Sequence, residues 1–74
     1  MKSIVSYGIR RWEYQKKSGE YVPTVVEVGK RDSALDRYEH EEITSDTPLI
    51  ELVRIVKNPF TEFVYNEEVL QFKD

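Results

Sequence analysis

Hydrophobic and β-branched positions at the start of the chain predict a long strand. From Ser3 to Lys17 the apolar positions follow period 2, but they change phase beside Gly8. Because a strand changes phase only at a bulge or a sharp twist, one of these two irregularities is expected there. Ser18 and Gly19 then supply a turn, since glycine accepts the positive φ that tight hairpin loops need. The pattern therefore predicts a long N-terminal β-hairpin.

The length of the hairpin loop decides which residues face each other. A two-residue loop pairs Trp12 with Val25, whereas a three-residue loop pairs Lys16 with Glu20, and the sequence leaves both registers open. Pro23 cannot donate a ladder hydrogen bond, so the second strand is expected at a sheet edge. An exposed edge can pair with another chain, which predicts a homodimer formed through a sheet edge.

The clearest helical pattern lies in the C-terminal half. Thr47 suits an N-cap, Pro48 suits the first helical position, and Asn58 followed by Pro59 is a stop signal. Between them, apolar residues recur at i, i+3, i+4 and i+7, which is one face of a helix. The sequence therefore predicts a principal helix over residues 48–57, packed on the sheet by Leu49, Leu52, Val53 and Val56.

The polar segment 32–46 admits two structures. A loose capping box begins at Ser33, and Ala34, Leu35 and Tyr38 share one helical face, which together favour a short helix. An irregular strand through residues 38–44 is the alternative. Short strands are predicted over residues 60–65 and 69–72. The whole chain, 1–74, is thus expected to be one small α+β two-layer domain with a mainly antiparallel sheet.

The composition is that of a small folded domain. The chain has 74 residues, of which 39% are hydrophobic, so a modest core can form. It contains no cysteine, which excludes disulfides and cysteine-ligated zinc and is typical of a reducing compartment. No apolar run approaches the length of a membrane span, and the first residues lack the apolar core of a signal peptide. These features predict a cytoplasmic protein without a membrane partner.

Residue types that carry catalysis or bind metals are few and scattered. His40 is the only histidine and lies among glutamates, where a solvated position is expected. Glu39, Glu41 and Glu42 lack the spacing of an EF-hand loop, and the three glycines do not form a phosphate loop. No serine has a base beside it in a recognisable motif. We therefore expect no enzyme activity, no cofactor and no metal site.

Charge is distributed unevenly along the chain, whose formal net charge is −3. Residues 1–31 contain seven basic and three acidic side chains, a balance of +4. Residues 32–74 contain four basic and eleven acidic side chains, a balance of −7. Such asymmetry indicates either ion pairs between the two halves or two separate recognition surfaces.

Two charged surfaces are candidates for binding. In the hairpin, whose tip over residues 14–21 is expected to be exposed, cations alternate with aromatic rings, as in surfaces that contact phosphates and stack on bases. Its candidate residues are Arg10, Arg11, Trp12, Tyr14, Lys16, Lys17 and Tyr21. In the acidic segment, spaced carboxylates can imitate a phosphate backbone, and the candidate residues are Glu39, Glu41 and Glu42. The ordinary alternatives are core aromatics beside solubilising cations, and a solvated acidic loop or helix.

These features favour a small non-enzymatic protein-binding module that occupies the surface of a larger protein. Compact, acidic, single-domain chains of this size suit accessory roles, such as those of inhibitors, adaptors and products of phages or other mobile elements. The alternative is a nucleic-acid-binding protein that uses the hairpin over residues 10–21. The net acidity of the chain opposes that alternative, because dedicated nucleic-acid binders are usually basic.

Overall fold

The computed structural model describes residues 3–61 and 63–74, which form one antiparallel sheet and one helix. The elements in chain order are β1 (Ile4–Gln15), β2 (Glu20–Gly29), α1 (Arg31–His40), β3 (Leu49–Lys57) and β4 (Val64–Lys73). The strands lie in the order β2-β1-β3-β4, so two hairpins are joined where β1 pairs with β3. The predicted class, a small α+β domain with an antiparallel sheet built on an N-terminal hairpin, is confirmed.

The N-terminal hairpin forms as predicted but with a different loop. The pairing of β1 with β2 shifts register between Tyr7 and Gly8, beside the expected position, but the extra residue is Val28 of β2. The predicted phase change within β1 is therefore wrong, because β1 pairs with β3 without a shift and places its two apolar sets on opposite faces. β2 lies at the sheet edge, as Pro23 indicated. Trp12 faces Pro23, and Gln15 faces Glu20, so neither predicted register is correct. The connection is the four-residue turn over residues 16–19. A longer loop relaxes the strict geometry of a two-residue turn, and only the turn residue Gly19 keeps the expected positive φ, at 69°.

The prediction of a principal helix over residues 48–57 is wrong, because Leu49–Lys57 forms the interior strand β3. The apolar stripe is largely buried, but Ile50 and Ile55 lie outside that stripe and are buried as well. A short, nearly continuous apolar run is typical of an interior strand, and β-branched side chains favour extended backbone. Thr47 and Pro48 therefore precede a strand, and Asn58 begins the turn that follows it.

The helix of the domain is α1, within the polar segment. It begins at Arg31, two residues before the loose capping box, and no side chain caps its N-terminus. Ala34 and Tyr38 are buried and Leu35 packs beside them, which confirms the predicted apolar face. The alternative strand over residues 38–44 does not form, because the helix continues to His40 and the next four residues lack regular structure.

The C-terminal strand is longer than the sequence indicated. One strand, β4, runs over Val64–Lys73, where two short strands were predicted. Of the predicted strand 60–65, residues 60 and 61 lie in a turn, and Glu62 lies outside the described residues. The pairing with β3 shifts register twice, between Leu52 and Val53 and between Val56 and Lys57. Each shift leaves one residue of β4 without a partner on β3, an irregularity that the sequence pattern could not show.

The helix covers one side of the sheet. Ala34 and Tyr38 of α1 pack against Ile9, Ile50 and Leu52 to form the core. Successive side chains of a strand point to opposite faces, so Arg10 and Glu51, which pair beside Ile9 and Leu52, lie on the other side. We call this second side, which α1 does not cover, the open face. Within the described ranges, no helix is long and apolar enough to cross a membrane.

Gly8 is required where β1 meets the register shift in its pairing with β2. A Cβ atom at this position would lie 2.5 Å from the carbonyl oxygen of Val26 and 3.2 Å from Cδ1 of Ile55. We expect Gly8→Ala to lower the free energy of unfolding by about 2 kcal/mol, because the backbone must shift to relieve the overlap. Urea unfolding measures this loss, with Ser18→Ala in the exposed turn as control. Equal midpoints for Gly8→Ala and the wild type would contradict the expectation.

Candidate interaction surface

A charged cluster lies at the centre of the open face. Arg10 Nε donates to Glu51 Oε1 at 2.7 Å, and a terminal nitrogen of Arg10 donates to Glu67 Oε1 at 2.9 Å. The indole nitrogen of Trp12 donates to the same Glu51 oxygen. The Arg10 guanidinium carbon also lies 5.7 Å from the centre of the Trp12 ring. The cluster therefore links β1, β3 and β4 through side chains.

The charged forms of Arg10 and Glu51 stabilise each other. The hydrogen bond from Arg10 lowers the pKa of the Glu51 carboxyl below its usual value, and burial opposes that shift. The same hydrogen bond raises the pKa of Arg10. Glu51 is only 8% exposed, so its carboxylate is a structural group and is not available to a partner. Arg10 and Trp12, both predicted to bind, are likewise engaged within the chain.

Arg11 and Glu41 also contact each other. A terminal nitrogen of Arg11 lies 3.8 Å from Glu41 Oε2, and Arg37 Nε lies 4.0 Å from the other oxygen of Glu41. Lys57 Nζ reaches across β1 and contacts the Glu27 carboxylate at 2.7 Å. The Arg11–Glu41 contact, like those of Arg10 with Glu51 and Glu67, joins a basic residue of the N-terminal half to the acidic C-terminal half. The uneven charge of the sequence is therefore explained in part by internal ion pairs.

The hairpin tip is the part of the predicted basic surface that remains exposed. Tyr14 and Tyr21 face each other across the strands with ring centres 5.4 Å apart and planes inclined by 60°. Tyr21 is 50% exposed. Lys16 and Lys17 in the turn are exposed and form no ion pair with any residue that the structure describes. Four of the seven predicted hairpin residues thus form an accessible aromatic and cationic tip.

The predicted acidic surface is divided by the fold. Glu39 and Glu42 are exposed, whereas Glu41 is half-buried and paired. His40 is exposed, and its Nδ1 lies 2.7 Å from the backbone oxygen of Asp36. This hydrogen bond raises the pKa of His40 above its usual value. The acidic candidates therefore contribute two accessible carboxylates beside a histidine that is easier to protonate.

The sequence interpretation did not identify the apolar residues of the open face. Val25 faces Arg10, Val69 faces Val53, and Phe72 faces Glu51 across neighbouring strands, so all three lie on this face. Phe72 is 63% exposed. The signal that could have found them is the strand character of residues 49–57. With a helix assigned there, the partners of β3 and β4 across the sheet were not recognised, so these apolar residues could not be assigned to a face.

The described part of the chain shows no group of three or more His, Asp or Glu side chains arranged to hold a metal ion. No protein-family model, curated protein or solved structure matches this chain. The functional interpretation therefore depends on the surfaces described above.

Proposed function

We propose that this chain is a small non-enzymatic binding module that occupies the surface of a larger protein, as an inhibitor or adaptor does. The observation that carries the proposal is the exposed tyrosine pair, Tyr14 and Tyr21, near the turn of the N-terminal hairpin. Tyrosine combines a large apolar ring with a hydroxyl and is enriched at the centres of protein interfaces. Along the open face the same surface continues to Pro23 and Val25, next in line on β2.

The charges near this surface favour a protein over a nucleic acid. Arg10 and Arg11 are engaged by Glu51, Glu67 and Glu41, which leaves two lysines of the hairpin tip to contact phosphates. Each phosphate contact contributes to affinity through release of counterions, so two contacts give weak binding. The net charge of −3 also repels a polyanion at long range. The absence of cysteine supports a cytoplasmic location for such a module.

The proposal predicts that partner capture depends on the tyrosine pair. The immobilised chain is incubated with lysate of its source organism, and retained proteins are identified by mass spectrometry. We expect a protein retained by the wild type to be lost with Tyr14→Ser/Tyr21→Ser, because truncated hot-spot aromatics weaken interfaces strongly. The matched control Glu39→Gln/Glu42→Gln alters exposed residues elsewhere and reports the contribution of the acidic surface.

Oligonucleotide binding distinguishes the proposed protein-binding function from the nucleic-acid-binding alternative. The proposal expects no measurable binding of a random single-stranded oligonucleotide at about 150 mM salt. Low-micromolar binding that disappears when Lys16 and Lys17 are changed to Glu would favour the alternative. Retention of the same proteins by the wild type and by the tyrosine variant would argue against the proposed surface.

A further inference from the structure

The chain is flatter and more exposed than a globular monomer of its mass. Its principal extents are 42 × 27 × 14 Å and its radius of gyration is 13.2 Å, against about 11 Å expected for its length. Its accessible surface is 5333 Å², whereas about 4,800 Å² is expected for a monomer of 8.8 kDa. The excess arises from geometry, because α1 packs against one side of the sheet and leaves the other open.

The open face displays more apolar side chains than a solvated sheet face needs. A sheet covered on one side normally alternates between apolar residues inside and polar residues outside. Here seven large apolar or aromatic residues are exposed on the outer side, and they come from three strands, β1, β2 and β4. They are Ile4, Tyr14, Tyr21, Val25, Val64, Val69 and Phe72.

The charges of the open face are paired within the chain. Arg10 is held by Glu51 and Glu67, and Lys57 is held by Glu27. The five charged side chains in these contacts sum to −1, so a second copy placed on this face would meet a small net charge instead of a strong field of like charge. A strongly charged partner would gain little from the same face. The low net charge of the face permits a second copy to pack on it.

The sheet edges are less suited to self-association than the open face. The edge strand β2 contains Pro23, which interrupts its row of hydrogen-bond donors. The other edge strand, β4, is bent by two register shifts in its pairing with β3. Prolines and bulges are features that discourage pairing between edges. The homodimer predicted through a sheet edge remains a prediction, but these features favour self-association through the open face over self-association through an edge.

We infer that two copies of this chain pack open face to open face. The sheets would lie about 10 Å apart as a sandwich, with one α1 helix on each outer side. The face spans about 1,100 Å² from its extents of 42 and 27 Å, and a standard interface buries about 800 Å² per partner. The inference goes beyond the proposed function. Because it uses the same face, a second copy and a partner protein exclude each other there.

Trp12 reports directly on this packing, because it is the only tryptophan and lies on the open face. Sedimentation equilibrium is measured from about 1 to 200 μM, which brackets the Kd of weak to standard interfaces. We expect the mass to rise towards twice 8.8 kDa. The Trp12 emission is expected to shift to shorter wavelength with the same midpoint. A mass of 8.8 kDa throughout overturns the inference and leaves the proposed function, tested by capture, unaffected.

Matched variants on one strand locate the interface. Val25 and Val22 are both 38% exposed on β2, but alternation along the strand directs Val25 to the open face and Val22 to the opposite face. We expect Val25→Glu to weaken the dimer at least about tenfold, since it buries a further carboxylate opposite Arg10, which Glu51 and Glu67 already engage, and Val22→Glu to leave it unchanged. Phe72→Glu repeats the test on β4 in case Val25→Glu does not fold by circular dichroism. Equal effects of Val25→Glu and Val22→Glu, or an unaffected dimer in Phe72→Glu, overturn the inference.

Discussion

Leu52→Ala is expected to lower the free energy of unfolding by about 3–4 kcal/mol, because it leaves a cavity in the small core. Leu52 is 2% exposed and lies with Ile9 and Ile50 beneath Tyr38 of the helix. A domain of this length has a total stability of about 4–11 kcal/mol, so the loss is a large part of the whole. Urea or thermal unfolding followed by circular dichroism measures it.

Leu70→Ala is the matched control for this prediction. Leu70 is 36% exposed on β4, and it lies where the register shifts between Leu52 and Val53. The same atoms are removed, but Leu70 is partly exposed and leaves no enclosed cavity, so we expect a smaller loss of about 1–1.5 kcal/mol. Similar losses in the two variants would contradict the core described for this fold.

The error in the sequence interpretation concerns the type of one element and not its burial. Leu52, Val53 and Val56 were expected to be buried, and they are. Over nine residues, an apolar run satisfies the helical period and also fits an interior strand, so periodicity alone does not decide between them. Pairing partners decide it, because β3 is held between β1 and β4. Those long-range contacts are not visible in the local pattern.

The candidate site was only partly predictable for a related reason. Sequence composition shows that a residue is basic or aromatic, but it does not show which carboxylate lies beside it. Arg10 became structural because the register places Glu51 opposite it, and that register depends on the pairing of β1 with β3. The exposure of Tyr14 and Tyr21 was predicted, because they lie near the turn of a hairpin that is long for so small a domain. Their pairing across the strands was not predicted, because both expected loops were shorter than the four-residue turn that sets the register.

Glu51→Gln is expected to lower the free energy of unfolding by about 3 kcal/mol at neutral pH. The substitution keeps the shape of the side chain but removes the charge that compensates the poorly exposed Arg10 guanidinium, whose side chain is 19% exposed. Removing one member of a mostly buried ion pair leaves the other charge desolvated, which costs more than losing a surface pair. The matched control is Glu68→Gln, which removes an exposed carboxylate 3.6 Å from Arg54 and should change stability by about 0.5 kcal/mol or less.

The pH dependence of this difference provides a second test of the cluster. The hydrogen bond from Arg10 lowers the pKa of Glu51 in the folded protein, so its contribution is fully present above the unfolded-state pKa of about 4.3. The contribution is lost as the pH falls through the lower folded-state pKa, because both states then bind the proton. The difference between wild type and Glu51→Gln should therefore be constant near neutral pH and shrink below about pH 4. Glu27, whose pKa is lowered by its hydrogen bond to Lys57, is present in both proteins and cancels from this difference. A difference that stays the same from pH 7 to pH 3, or one no larger than that of Glu68→Gln, would show that the Arg10–Glu51 pair does not hold the sheet together.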